Sequence, residues 1–328
     1  KNALTLAGTN LREGQNYQVL EGDISLPYFG LSESQLSKLK DIGLKELWHS
    51  AGSINFVNEE INQKVNVEGM KNLLQFLDLV AVEKIYYLGT AYAGGNKQAI
   101  KYYDIDLPEF NNPYEESKSQ SERMLLDWAK GKNGPKVFVF KPSIVVGDTK
   151  YGKAFNFSGY YRFMQSFHFF RNKLLKVPVY EVVNMPISVL GHEKAEVNVV
   201  AIDYAMYIMM KIRESGQSGV YPIVNDHAPE YKNILQLGLN VLDIYGVKYA
   251  NGKEEETVFE DKRLKRAQRM LKSAMIDYVP YVSWTYDWDL SMVKKVLGDD
   301  FISHPEVDQS FIRIMLEYAI KNNFDLSV

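Results

Sequence analysis

Through the first half of the chain, short apolar runs alternate with longer segments whose apolar positions recur every three or four residues. This is the pattern of βα units that build a parallel sheet. Residues 17–20, 46–49, 84–88 and 136–140 read as strands. Each ends in small or polar residues: Glu21-Gly22-Asp23, Ser50-Ala51-Gly52, Gly89-Thr90 and Lys141-Pro142-Ser143, the last followed by an apolar run to Val146. Residues 31–40 read as a helix with Leu31, Leu36 and Leu39 apolar. Residues 59–80 form a longer one, striped by Val65, Met70, Leu73, Leu74 and Leu77. A third spans 113–130, with a proline suited to its first turn. Ligands of an open parallel sheet bind beyond the carboxyl ends of its strands, so the polar termini mark where chemistry is expected.

The second half is less regular and more aromatic. Residues 155–170 hold eight aromatic side chains, which read as core. Residues 196–210 predict a strand running into a helix, 220–224 a strand and 234–245 a helix. From 262 onward the pattern is helical, broken at Tyr278-Val279-Pro280. The expected organisation is a Rossmann-like domain over 1–150 and a smaller, mainly helical substrate-binding region over 151–328, with 196–225 returning to the sheet. No internal repeat is visible.

Composition narrows the function. With 328 residues, 46% of them hydrophobic, the chain can bury a sizeable core. A net charge of −3 supplies no electrostatic reason to expect nucleic acid. The basic stretch Lys262 to Arg269 follows acidic Glu254-Glu255-Glu256 and reads as a solvated helix face. The absence of cysteine removes thiolate nucleophiles, disulfides and Cys-ligated metals, and fits the cytoplasm. The five histidines are scattered, with no metal-binding spacing, so no metal is expected. No apolar run is long enough to span a membrane.

Tyr114 and Lys118 stand four residues apart on the third helix, so both project from one face. An ammonium beside a phenol favours the phenolate and makes the tyrosine a usable proton donor or acceptor. Thr90, at the end of the preceding strand, adds a second hydroxyl able to bond the same carbonyl oxygen. Two further Tyr-x-x-x-Lys pairs, Tyr207 with Lys211 and Tyr249 with Lys253, lack such a context and read as structural.

The ordered set Glu21-Gly22-Asp23-Ile24, His49-Ser50-Ala51-Gly52, Asn66-Val67-Glu68-Gly69, Gly89-Thr90-Ala91-Tyr92, Tyr114-x-x-x-Lys118 and Lys141-Pro142-Ser143-Ile144-Val145 resembles the extended short-chain dehydrogenase/reductase superfamily. Within it the chain looks most like the branch of male-sterility-type fatty acyl-CoA reductases and thioester reductase domains. The likeness is good from Val19 to Val146 and diffuse beyond. It implies a doubly wound parallel sheet with Thr90, Tyr114 and Lys118 catalytic, Asn66 supporting a proton path through the lysine. It further implies that Asp23 and Ile24 border the adenine, that Ser50, Ala51 and Gly52 pass the phosphates and ribose, that Lys118 reaches the ribose, and that Pro142, Ser143, Ile144 and Val145 face the nicotinamide. NADP is the implied cofactor, with NAD open. The implied substrate is an acyl thioester on CoA or a carrier protein, reduced to aldehyde or alcohol.

One part of the pattern is missing. A dinucleotide fold opens with a strand, a glycine-rich turn at a helix N-terminus and a second strand. No such turn precedes Glu21, where Gly8 and Gly14 are too sparse. The expectation is that the first βαβ unit precedes Lys1, the alternative being its loss. Two other functions stay open: a reductase or epimerase of nucleotide sugars or steroid-like alcohols, and a non-catalytic nucleotide-binding scaffold.

Overall fold

Three of the four polar-ended apolar runs, Glu46–His49, Lys84–Leu88 and Lys136–Pro142, form a parallel sheet in that order, completed by Gly219–Ile223. A computed structural model describes residues 11–101, 108–130, 134–177, 181–250 and 259–325. The first two strands run in register from Glu46 beside Lys84 to His49 beside Tyr87. The chain divides into two compact units, one of residues 1–88 with 112–139, the other of residues 89–111 with 140–328.

In the first unit, helices at Glu33–Ile42, 59–79 and Pro113–Lys130 accompany the strands. Ser32 opens the first of them with a reciprocal capping box to Gln35, and Gly43 closes it in the left-handed conformation at φ 67°. The second starts at Asn58, whose side chain accepts the Ile61 N–H, and passes through a π-helical stretch at Gln63–Glu68 before resuming as Gly69–Leu79. Met70, Leu73, Phe76 and Leu77 form a core with Ile85, Tyr87, Leu125 and Val139.

Residues 17–20 do not form the expected strand. Tyr17 makes an isolated bridge to Glu13, while Val19 and Leu20 are exposed. Four alternating residues need a ladder partner, and none of the described strands pairs with them. The chain instead folds back in a compact loop where Asp23 N–H donates to Phe29 O and Leu26 N–H to Asp23 O. That loop docks on the second helix. Asn72 Nδ2 donates to Ile24 O at 2.9 Å, and a Cβ at Gly69 would come 2.9 Å from Ile24 Cγ1, so glycine is required for the contact.

In the second unit, Ile144–Val146 pairs in parallel with Val199–Ala201, which runs directly into the helix Ile202–Ser215. The helix expected at 234–245 stops at Val241, after which Ile244–Tyr245 forms a short strand pairing with Val183–Asn184. Six of the eight aromatics in 155–170 are buried; Phe155 and Phe169 are exposed. Beyond residue 262 the chain is mainly helical, with one strand that periodicity did not reveal, Trp284–Tyr286, antiparallel to Ala99–Lys101. Three residues are too few to show alternation. Among the described residues, no helix is long and apolar enough to cross a membrane.

Candidate active site

The helix Pro113–Lys130 carries Tyr114 and Lys118 one turn apart and buries the lysine. Lys118 Nζ donates to the Leu88 carbonyl at 2.8 Å, at the end of the second strand, and lies 4.4 Å from the centroid of the Tyr87 ring. His49 stacks on the same tyrosine at 5.6 Å. A cation is attracted to an aromatic face, but loss of hydration wins here. Burial pulls the Lys118 pKa from 10.5 down to about 8, opposed in part by the Glu122 carboxylate. His49, buried beside the ammonium, falls to about 4 and is neutral at pH 7. Tyr87 is pushed up by burial and stays a phenol. Tyr114 itself is half-buried, its ring 5.9 Å from that of Phe56.

Asn66 lies in the π-helical stretch and faces the same helix. Its Nδ2 donates to Ser117 Oγ at 2.8 Å and to Ser53 O at 3.1 Å, while Oδ1 accepts the Ser53 N–H at 2.8 Å. Ser121 Oγ donates to the Asn66 carbonyl at 2.9 Å. The side chain thereby clamps the segment after the first strand onto the helix of Tyr114. Asn66→Ala should leave the Ser53 backbone and Ser117 without these bonds and destabilise the fold by about 2–3 kcal/mol. Denaturant midpoints would read this, and an unshifted midpoint would remove the clamp role.

Ser50, Ala51 and Gly52, beyond the first strand, are exposed. A Cβ at Gly52 would meet Asn66 Oδ1 at 3.2 Å and Lys118 Nζ at 3.8 Å, so the bare glycine keeps the approach to the ammonium open. Lys118 has two N–H groups beyond the one given to Leu88, and this donor set beside an exposed backbone turn fits a cofactor ribose. Asp23 is exposed, its carboxylate held below the usual range by hydrogen bonds from Ser25. The first unit thus brings together Gly52, Asn66, Tyr114 and Lys118, with Asp23 and Ile24 on the loop packed against Gly69.

The remaining expected residues belong to the second unit. Thr90 is buried and caps the turn Ala91–Gly94 by accepting the Tyr92 N–H at 3.4 Å. Ser143 Oγ donates to Asn198 Oδ1 at 2.6 Å and its N–H to Ile223 O at 3.1 Å, which locks the segment after Pro142. Ile144 is half-buried and Val145 exposed.

Of the rival pairs, Tyr207 O–H and Lys211 Nζ both donate to Asp300, at 2.8 Å and 3.2 Å. Tyr249 O–H donates to Lys232 O, and Lys253 lies outside the described residues, as do Glu254–Glu256 and Gly8. Sequence reasoning missed His49 and Tyr87 as neighbours of the ammonium, and Ser117 and Ser121 as partners of Asn66. The serines left one signal: spaced four apart, they share a helix face next to the one carrying Tyr114 and Lys118.

The family model for the male sterility protein, an NAD-binding family, matches residues 4–207. The chain belongs to this family. As a male sterility family member of the extended short-chain dehydrogenase/reductase type, it is an NAD(P)-dependent oxidoreductase that binds a nicotinamide cofactor. Among solved structures it is similar to the terminal R domain of the myxalamid PKS-NRPS biosynthetic pathway, with a TM-score of 0.70 and 18% identity over 100% of this chain and 78% of that one. It is also similar to a thiolation-reductase di-domain from an archaeal non-ribosomal peptide synthetase (TM-score 0.62, 18% identity, 99% of this chain and 67% of that one). The UDP-glucuronic acid 4-epimerase of Bacillus cereus, in complex with UDP-glucuronic acid and NAD, shares the fold at TM-score 0.62 and 14% identity, over 98% of this chain and 85% of that one. At these identities the likeness concerns the fold. No curated protein matches the chain.

Proposed function

We propose that this member of the family reduces an acyl thioester, carried on CoA or a carrier protein, to an aldehyde. The observation that carries the reading is the buried Lys118 ammonium one helical turn from Tyr114, held by Leu88 O and the face of Tyr87. Such a cation lowers the cost of negative charge on the phenol oxygen, so Tyr114 can give its proton to a carbonyl oxygen on which charge develops. Thr90 would be the second hydroxyl on that oxygen. A bound reduced nicotinamide cofactor, NADPH in our reading, would supply the hydride for the carbonyl carbon. The tetrahedral hemithioacetal then loses its thiol, leaving aldehyde and free thiol, and one proton is taken up per hydride delivered.

Lys118, Ser50, Ala51 and Gly52 would hold the cofactor's ribose and phosphates. Asp23 and Ile24 would border its adenine, and Pro142 to Val145 its nicotinamide. Asn66 is a positioning residue in this scheme, because its side-chain amide is engaged with Ser53 and Ser117.

Oxidation of NADPH in the presence of long-chain acyl-CoA or acyl-carrier thioesters, followed at 340 nm, tests the reading. Turnover with thioesters is expected. Turnover with a nucleotide sugar and none with any thioester would overturn it.

The charge on Lys118 also sets a pH dependence. The ammonium is lost as pH rises through about 8, so kcat/KM should fall above that pH. In Lys118→Arg the cation persists, and the residual activity should keep its alkaline limb to higher pH. A limb that stays in place in the arginine variant would assign it to another group. Stability runs the opposite way. The folded pKa lies below the unfolded 10.5, so the unfolded chain binds more protons between about pH 8 and 10.5, and this group's contribution rises with pH across that window.

A further inference from the structure

A lysine is rarely buried unless something holds its charge, and the usual holder is a carboxylate in an ion pair. Lys118 is not held in this way. Among the described residues its ammonium makes one hydrogen bond, to Leu88 O, and no ion pair. What lies against it is the ring of Tyr87, whose centroid is 4.4 Å from Nζ.

Each element packed around the ammonium contributes one or two groups. The strand Glu46–His49 brings His49, which burial and the ammonium keep neutral at pH 7. The strand Lys84–Leu88 brings Tyr87, kept a phenol by burial. The helix of Lys118 adds Tyr114 one turn before and Glu122 one turn after, whose carboxylate favours the charge without pairing with it. The π-helical stretch adds only the uncharged amide of Asn66.

A ring face and a carboxylate hold a cation differently. The carboxylate cancels the charge and takes N–H groups along fixed directions. The ring attracts through its quadrupole and carries no net charge of its own. On such a support the ammonium stays positive and uncompensated, and an uncompensated charge is what favours a phenolate one helical turn away.

As packing, Tyr87 belongs to the core with Met70, Leu73, Leu125 and Val139, and an aliphatic side chain would fill the same kind of space. Only an aromatic one offers an electron-rich face. The Tyr87 hydroxyl has no hydrogen-bond partner among the described residues, so the contact with Lys118 is made by the ring alone.

We propose that Tyr87 is a positioning residue of this site, the face of its ring standing in for a counter-ion and holding the Lys118 ammonium charged beside Tyr114. This rests on the roles given to Lys118 and Tyr114 above.

The test places at position 87 phenylalanine carrying no, one, two or three ring fluorines, which drain the ring face of negative charge while nearly preserving its shape. Two titrations are followed in each variant: the Cε resonance of isotope-labelled Lys118, and kcat/KM for a thioester. The Lys118 midpoint should step down with each fluorine, by about one pH unit over the series, with Tm constant, and the alkaline limb of kcat/KM should follow it. A ring that only packs would move neither. A Lys118 midpoint that stays in place across the series overturns the proposal, whatever the activity does. A midpoint that moves while the limb stays, or while no thioester is turned over, supports the ring as holder of the charge and removes the functional reading alone.

Discussion

Tyr114→Phe should lower kcat by about 10²–10⁴-fold while leaving the affinity for NADPH and the Tm unchanged. The substitution removes one oxygen. The ring stays half-buried against Phe56, so the packing that orients the helix is preserved. What disappears is the proton donor for a carbonyl oxygen that becomes anionic as hydride arrives. Single-turnover oxidation of bound NADPH separates this chemical loss from slow product release. A variant that keeps its single-turnover rate would remove Tyr114 from the chemistry, and one that melts earlier would recast it as a packing residue.

The second large effect pairs lost activity with a gain in stability. In Lys118→Met, activity should fall by about 10²-fold or more. The folded protein, however, is freed of a buried charge. A pKa lowered from 10.5 to about 8 means that keeping the ammonium charged at pH 7 costs about 3 kcal/mol. The variant gives up the hydrogen bond to Leu88 and the contact with Tyr87, about 1–2 kcal/mol together. The net expectation at pH 7 is stability unchanged or raised by about 1–2 kcal/mol. Urea midpoints at pH 7 and 10 provide the check. The wild type should gain ground on the variant at the higher pH, where its own lysine is neutral. A variant that is inactive and also strongly destabilised would make Lys118 a structural residue.

Local features made parts of this architecture readable. The helix Pro113–Lys130 was legible because proline marks its first turn and Tyr114 and Lys118 share a face. The strands Glu46–His49 and Lys84–Leu88 were legible because each is a short apolar run ending in small or polar residues. Residues 17–20 carry the same pattern with no partner among the described strands, and pairing is a property of two segments. The clamp between Asn66 and Ser117 spans 51 residues and rests on a helix that departs from α geometry. No periodicity reports such a departure. Burial of Lys118 was likewise hidden, since a lysine after a tyrosine reads equally as a snorkelling surface residue.

The π-helical stretch Gln63–Glu68 has a consequence for variation in chain length. A π turn holds one residue more than an α turn, so this helix stores a surplus residue where Asn66 meets Ser53 and Ser117. Deleting any residue between Gln63 and Glu68 lets the turn relax to α geometry. The flanking turns then keep their faces, because the stretch at π spacing turns the helix about as far as one residue fewer at α spacing, but the side chains inside the window are re-aimed. Asn66 could no longer face Ser117 while Gly69 still receives Ile24. Sequences that share this site should therefore tolerate exchange of letters in this window far better than loss of one.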